Sequence, residues 1–201
     1  MNLIGLDFDN TLINYDFLFY KVALEFNLIP EHIQKSKVGV RDYLIKIGNE
    51  EAFTEIQGEV YGNRIQFAET SSGVNGALIK LKEKGYKFSI VSHKTKFPLI
   101  GKKYDLHKSA MNWLRKNKFL DKGGLNIKNE DIYFEPTKIK KIERINSIKC
   151  NFFIDDLEEI LHMINNNVTR IHFNKNYIDY KQNNNFYSFS NWVNLDSLEI
   201  F

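Results

Sequence analysis

The feature that most constrains the fold is the alternation of short apolar runs with amphipathic helical patterns. Short apolar runs bounded by polar residues are typical of buried strands, and five occur, at 2–6, 86–91, 131–135, 151–154 and 168–173. Helical patterns lie between or after them, at 76–85, 105–117, 137–149 and 157–166. This alternation predicts an α/β fold, a three-layer, doubly wound (Rossmann-like) parallel sheet with helices on both faces.

One segment interrupts the alternation. From Tyr15 to Phe67 the spacing is helical throughout, with a break at Pro30 and no strand pattern. We interpret this block as an all-helical insertion, followed by a small polar linker. The predicted organisation is an α/β core formed by residues 1–14 and 71–201, with the insertion at 15–70. Near the end of the chain, an Asn-rich run at 174–185 is predicted to be a polar surface loop.

Composition indicates a globular protein in a reducing compartment. The 201 residues are 43% hydrophobic, which suits one sizeable core with a small insertion. The single cysteine, Cys150, excludes an internal disulfide and favours a cytoplasmic location. The start of the chain does not resemble a signal peptide, and no apolar run approaches the roughly 20 residues that span a bilayer, so no membrane partner is expected. The net charge of +3 is spread along the chain, so nucleic acid is not an expected partner, but a phosphorylated substrate would not be repelled.

Polar residues follow three of the predicted strands. Asp7 and Asp9 follow the first, Ser92 follows the second, and Asp155 and Asp156 follow the fourth. In a parallel sheet these side chains collect at the carboxyl edge, where ligands bind. Four carboxylates at one place require a cation, and oxygen ligands without Cys or His suit Mg²⁺. A hydroxyl and a lysine beside such a site suit a phosphoryl group.

These motifs resemble the haloacid dehalogenase-like superfamily of aspartyl phosphatases. The resemblance rests on D-x-D-x-T (Asp7, Asp9 and Thr11), a serine that ends a strand, a lysine that opens a later helix, and the pair Asp155–Asp156. It covers the chain from residue 1 to about residue 160, and the motifs occur in the family's order. The helical insertion lies where members of the family carry a small cap over the active site.

The resemblance implies a role for each acid. Asp7 would be the nucleophile that forms an aspartyl-phosphate, and Asp9 would be the general acid and base. Mg²⁺ would be held by a carboxylate oxygen of Asp7, the backbone carbonyl of Asp9 and the carboxylate of Asp156, with Asp155 as the alternative.

The remaining expected site residues bind the phosphoryl group or the substrate. By the resemblance, Ser92 would bond a phosphoryl oxygen, and Lys138 would neutralise the phosphoryl group and the nucleophile; Lys141, one turn further along, is the alternative lysine. Residues that flank the motifs are candidate substrate contacts, namely Asn10, Thr11, His93 and Lys94. Two cap residues, Arg41 and Arg64, are candidates for substrate specificity.

The expected activity is Mg²⁺-dependent hydrolysis of a phosphate monoester of a small metabolite. The acid at Asp9 argues against a dehalogenase, which has no alkoxide leaving group to protonate. Three alternatives stay open: a phosphomutase, a non-catalytic binding module, and a nucleic-acid end phosphatase, for which the lysine-rich loop at 94–103 is the hint. The sequence indicates neither the substrate nor the oligomeric state.

Overall fold

The computed structural model describes residues 2–175 and 186–201. Most of the Asn-rich run that was expected to form a loop, residues 176–185, lies outside the described residues. Within the described part of the chain, no helix is long and apolar enough to cross a membrane.

The chain divides into two compact units. The first consists of Met1–Ile13, Thr70–Lys94 and Asn117–Phe201, and the second of Asn14–Glu69 and Thr95–Lys116. The second unit therefore contains most of the expected helical insertion and also a segment, Thr95–Lys116, that the sequence analysis assigned to the core.

Strands and helices alternate along the first unit, whereas the second unit is helical. The strands of the described residues are β1 (Leu3–Leu6), β2 (Ile13–Asn14), β3 (Glu69–Thr70), β4 (Lys87–His93), β5 (Ile132–Glu135), β6 (Phe152–Asp155), β7 (Thr169–Phe173) and β8 (Tyr187–Phe189). The α-helices are α1 (Asp16–Glu25), α2 (Lys37–Lys46), α3 (Glu50–Gly58), α4 (Val74–Glu83), α5 (Leu106–Lys116), α6 (Lys138–Ser147) and α7 (Glu158–Met163). Shorter helical segments are the π-helix Glu59–Asn63 and the 3₁₀-helices Ile65–Phe67, Asn129–Asp131 and Trp192–Leu198.

Six strands form one parallel sheet in the order β5-β4-β1-β6-β7-β8. The five predicted strands all occur in this sheet, within two residues of their expected bounds, so the predicted fold class is confirmed. The sequence did not predict β8, nor the small pair β2–β3 where the chain leaves the first unit and returns to it. The last element is a 3₁₀-helix, Trp192–Leu198.

The topology reverses at β1. From β1 the chain adds β4 and β5 on one side, and then β6, β7 and β8 on the other. Because crossovers between parallel strands are right-handed, α4 covers one face, and α6 and α7 cover the opposite face. The carboxyl ends of β1, β4 and β6 therefore lie side by side at the switch point, where such sheets bind ligands.

The core beside the switch point is closely packed. Phe153 on β6 and Ile145 on α6 are fully buried there, and Cys150 is buried beside them. Gly5 on β1 makes this packing possible, because a Cβ atom at that position would lie 2.4 Å from the ring of Phe153. This close packing against Phe153 holds β1 in a fixed position.

The second unit joins residues that are distant in sequence. The indole N–H of Trp113 on α5 donates a hydrogen bond to the Ala68 carbonyl at 2.9 Å. Helix α5 begins as the sequence predicted, because the Asp105 carboxylate accepts a hydrogen bond from the Lys108 backbone N–H at 2.9 Å.

Candidate active site

The carboxyl ends of β1 and β6 bring three aspartates together. Asp7 follows β1, and its backbone N–H donates to the Ile154 carbonyl of β6 at 2.9 Å, which continues the ladder past the end of β1. Asp155 ends β6 and Asp156 follows it. One carboxylate oxygen from each aspartate lies within 4.8 Å of the others. The structure thus assembles acids that the sequence analysis expected at this edge.

Lys141 of α6 bridges two of these aspartates. Its Nζ lies 2.6 Å from Oδ1 of Asp7 and 2.6 Å from Oδ2 of Asp155, and its side chain is 2% exposed. Burial alone disfavours an ammonium group, but the carboxylates of Asp155 and Asp7 outweigh it and raise the pKa of Lys141 above its ordinary value. Lys141 is therefore a permanent positive charge against Asp7.

The carboxyl group of Asp7 has a strongly perturbed environment. Burial raises its pKa well above the ordinary value, Lys141 opposes that shift, and the neighbouring aspartates add to it. A carboxylate buried among like charges is stable only when positive charge is close. Lys141 supplies part of that charge, and a cation would supply the rest.

Lys138 does not lie where the sequence analysis expected it. Its side chain is about half exposed, and Nζ pairs with Oε1 of Glu159 at 2.5 Å rather than with the aspartates. The reason is geometric, because helical side chains lean towards the N-terminus. A lysine one turn into α6 therefore leans back over the strand ends, whereas Lys138, the first residue of the helix, projects past them.

Asp9 forms an ion pair with a buried lysine. Lys94 Nζ lies 3.0 Å from Oδ1 and 2.9 Å from Oδ2 of Asp9, and the Lys94 side chain is 2% exposed. The ammonium also lies over the ring of Phe8, 5.5 Å from its centroid. Sequence reasoning named Lys94 as a substrate contact and missed this pairing. The only available signal was its position directly after β4, at the same sheet edge as Asp9.

Two buried hydroxyl groups belong to the expected motifs. Thr11 and Ser92 are almost completely buried, and neither Thr11 Oγ1 nor Ser92 Oγ has a hydrogen-bond partner among the described residues. Buried hydroxyls are normally paired, so each of these atoms can still donate to a ligand oxygen. Ser92 lies next to last in β4, which borders β1 in the sheet.

Asn10 and His93 complete the expected set. Asn10 has the left-handed φ of 61° that asparagine tolerates, and it lies in the tight turn closed by a hydrogen bond from the Leu12 N–H to the Phe8 carbonyl. His93, at the end of β4, is only partly exposed. Partial burial lowers the pKa of His93, although a backbone hydrogen bond to Pro136 opposes that effect. The structure gives Asn10 a clear role in the turn.

The acidic cluster fits a divalent cation. Asp7, Asp155 and Asp156 carry three negative charges when all are ionised, whereas the ammonium group of Lys141, which contacts two of them, carries one positive charge. Carboxylate oxygens are the ligands that Mg²⁺ prefers, and no thiolate or imidazole belongs to the cluster.

Asp155 is held by hydrogen bonds on both of its carboxylate oxygens. Both carboxylate oxygens of Asp155 are already engaged, Oδ2 with Lys141 and Oδ1 with the backbone N–H of Leu157 at 2.9 Å. Asp155 therefore positions Lys141 and the turn after β6.

Comparison with known proteins identifies the fold. No protein-family model matches the sequence, and no curated protein matches it either. Solved structures do match over almost the full length. A HAD-superfamily hydrolase from Ehrlichia chaffeensis is 17% identical with a TM-score of 0.51, covering 98% of this chain and 97% of that one.

Two other similar structures differ in their described activities. A phosphoserine phosphohydrolase-like protein from Francisella tularensis is 16% identical, with a TM-score of 0.55 and full coverage of both chains. A dehalogenase is 10% identical, with a TM-score of 0.57, covering 98% of this chain and 96% of that one. The chain therefore has the fold of the haloacid dehalogenase-like hydrolases, as its motifs suggested. Similarity at this level of identity shows the fold and leaves the reaction to be argued from the site.

Proposed function

We propose that the protein is a Mg²⁺-dependent phosphatase that hydrolyses a phosphate monoester of a small metabolite through an aspartyl-phosphate. The observation that carries this choice over a dehalogenase is Asp9, a second carboxylate two residues after Asp7 and paired with Lys94 at 2.9 Å. An alkoxide leaving group requires a proton donor, whereas a halide does not. The single buried thiol, Cys150, is consistent with a reducing, cytoplasmic location.

In the first step, a carboxylate oxygen of Asp7 bonds to phosphorus while the phosphorus–oxygen bond to the leaving group breaks. For this step Asp9 must take up a proton and give up its ion pair with Lys94, and it then donates that proton to the departing alkoxide. Lys141 holds Asp7 in place and offsets the charge of the incoming phosphoryl group. The hydroxyls of Ser92 and Thr11, which lack partners among the described residues, donate to phosphoryl oxygens.

In the second step, Asp9 takes a proton from water as the water attacks the phosphorus of the aspartyl-phosphate. Inorganic phosphate leaves and Asp7 is regenerated. We assign the metal to carboxylate oxygens of Asp7 and Asp156 and to the backbone carbonyl of Asp9. Bound there, Mg²⁺ would neutralise charge on the phosphoryl oxygens. In place of Lys138, we assign the catalytic lysine role to Lys141, because it is the lysine in contact with Asp7.

The proposal is tested by product analysis with Mg²⁺ present. Purified protein is incubated with a panel of phosphorylated metabolites and, separately, with short 2-haloacids, and the release of phosphate and of halide is measured. We expect phosphate release only, and in ¹⁸O-labelled water we expect the label in the phosphate. Halide release without phosphate release would make the protein a dehalogenase. Transfer of the phosphoryl group back to the substrate, without label in phosphate, would make it a phosphomutase.

A further inference from the structure

The imidazole of His172 is buried next to the acidic cluster, although His172 belongs to none of the sequence motifs. It lies in β7, where the sheet register pairs it with Asp155 of β6. The residue is only 4% exposed. A polar side chain is stable at such a depth when it forms hydrogen bonds, so the contacts of the ring indicate its role.

One ring nitrogen of His172 contacts the turn that follows β6. Nε2 lies 3.2 Å from the backbone carbonyl oxygen of Asp156. A carbonyl oxygen only accepts hydrogen bonds, so this hydrogen bond requires a proton on Nε2. The contact engages the main chain of Asp156 rather than its carboxylate. It therefore fixes the position of this aspartate without occupying the oxygens that bind metal in the proposed site.

The surroundings of the ring restrict its orientation. The ring of Phe186, a buried residue, packs edge-on against it with the centroids 5.7 Å apart. Nδ1 lies 3.4 Å from Oε1 of Glu158, but the side chain of Glu158 is about half exposed, so this contact contributes little. The hydrogen bond to Asp156 is thus the contact that a substitution of His172 would chiefly remove.

The turn between β6 and α7 is held at two points. At its start, the Asp155 carboxylate accepts a hydrogen bond from the Leu157 N–H at 2.9 Å. One residue further along than Asp155, the Asp156 carbonyl is held by His172 from the neighbouring strand. This second support links the turn to β7, which is fixed by its ladder with β6. The two supports leave the main chain of Asp156 little freedom, so its side chain starts from a defined position.

We propose that His172 is a positioning residue of the metal site, which presents Asp156 to the cation by holding its main chain. The inference rests on the metal site proposed above. His172 is not a ligand in this account, because its two ring nitrogens face the Asp156 carbonyl and Glu158. Groups that hydrogen-bond to metal-binding residues orient them, and their loss typically weakens metal binding by roughly 10–100-fold.

The choice of ion should report on this role. Mg²⁺ requires near-ideal octahedral geometry with short bonds, whereas Ca²⁺ accepts longer bonds and irregular arrangements. A displaced Asp156 therefore weakens Mg²⁺ binding more than Ca²⁺ binding. A loss of folded protein would weaken the binding of both ions equally, so the ratio of the two affinities separates positioning from a general loss of stability.

The test measures metal binding by the full chain without substrate. Free Mn²⁺, another cation that oxygen ligands suit, is followed by electron paramagnetic resonance, and Mg²⁺ and Ca²⁺ are titrated as competitors. His172→Phe keeps a ring of similar shape but has no donor, whereas His172→Gln keeps an N–H donor at the end of the side chain. The matched control is His162→Phe, because the exposed His162 on α7 also packs edge-on against Phe186, with the centroids 5.3 Å apart.

We expect His172→Phe to bind Mg²⁺ at least tenfold more weakly, with a smaller loss for Ca²⁺. His172→Gln and His162→Phe should stay within about threefold of the wild type, because the first keeps the donor and the second leaves the turn untouched. Thermal melts in EDTA verify that each variant is folded. His172→Met, which also lacks the donor, replaces the phenylalanine variant if that one does not fold.

The inference is overturned if the variant without the donor binds Mg²⁺ like the wild type, or if its Mg²⁺ and Ca²⁺ affinities fall by the same factor. It is also overturned if His172→Gln is equally weak, or if His162→Phe loses as much. A wild type that binds neither Mn²⁺ nor Mg²⁺ would instead overturn the metal site on which the inference rests, and with it the proposed function.

Discussion

The choice between Lys138 and Lys141 shows how far single residues can be assigned from sequence. Both lysines lie in the first turns of α6, and helical periodicity places both near the face that carries the buried residues Ile142 and Ile145. Periodicity describes rotation about the helix axis, but the distinction between the lysines depends on height along that axis. Only the packed structure shows that Lys141 leans back over Asp7 whereas Lys138 reaches Glu159.

At the residue scale, Lys141→Met should lower kcat for phosphate release by at least about a hundredfold. The variant removes a positive charge that lies 2.6 Å from the nucleophile, and a preorganised charge of this kind contributes several kcal/mol to transition-state stabilisation. The matched control Lys138→Met, which removes an exposed ion pair on the same helix, should stay within about threefold of the wild type. Equal losses in both variants would contradict the assignment of Lys141.

At the scale of elements, the sequence predicted most of the sheet but not its last strand. The five predicted strands have strong apolar signals because both of their faces are buried. Strand β8 has only three residues, so it shows no clear period. The placement of Thr95–Lys116 with the second unit was also missed, because it depends on long-range contacts such as that between Trp113 and Ala68.

Helix α6 supplies a test of the core beside the site. Ile145 is fully buried against the sheet, whereas Ile139 is 63% exposed. Ile145→Ala should lower the free energy of unfolding by about 2–5 kcal/mol because it leaves a cavity, and Ile139→Ala should change it by less than about 0.5 kcal/mol. Chemical denaturation of both variants measures the difference. Similar values for the two would mean that α6 presents another face to the sheet.

The aspartates at the carboxyl ends of β1 and β6 lead us to predict that phosphate release depends on a metal ion. Asp7, Asp155 and Asp156 offer oxygen ligands only, so EDTA should abolish phosphate release and Mg²⁺ should restore it. Calcium should inhibit, because its longer bonds and higher coordination number would displace the nucleophile. The initial rate of p-nitrophenyl phosphate hydrolysis measures each effect. Full activity in EDTA would show that the acidic cluster has another role.

At the scale of the whole molecule, we predict that the first unit carries out the reaction and that the second unit selects the substrate. The acids and Lys141 belong to the first unit, whereas the second contains most of the segment that resembles a cap. The candidate specificity residues of that segment are Arg41, which pairs with its exposed neighbour Asp42, and Arg64, which pairs with Glu25. Sequence motifs could identify the acids of the first unit because the reaction requires those residue types at those positions. Substrate preference has no comparable sequence motif.

If the second unit selects the substrate, Arg41→Ala should change preference among metabolites more than it changes the basic reaction. We expect kcat/KM for the preferred metabolite to fall by tenfold or more, with hydrolysis of p-nitrophenyl phosphate nearly unchanged, because the small ester requires only the first unit. Arg64→Ala is the comparison variant. It removes the other candidate arginine and also leaves Glu25 without its ion-pair partner. If Arg41→Ala lowered kcat/KM by the same factor for both substrates, this arginine would support the fold or the reaction and not substrate preference.

The central claim is that Asp7 forms a covalent bond to phosphorus, and trapping that bond tests it most directly. Wild-type protein is mixed with Mg²⁺ and a ³²P-labelled phosphate ester that it hydrolyses, quenched in acid within one turnover, and digested for peptide mapping. The account predicts label on the peptide that contains Asp7, and neither label nor turnover in Asp7→Asn, which keeps the shape of the side chain but is not a nucleophile. Turnover by Asp7→Asn, or label on any other residue, would contradict it.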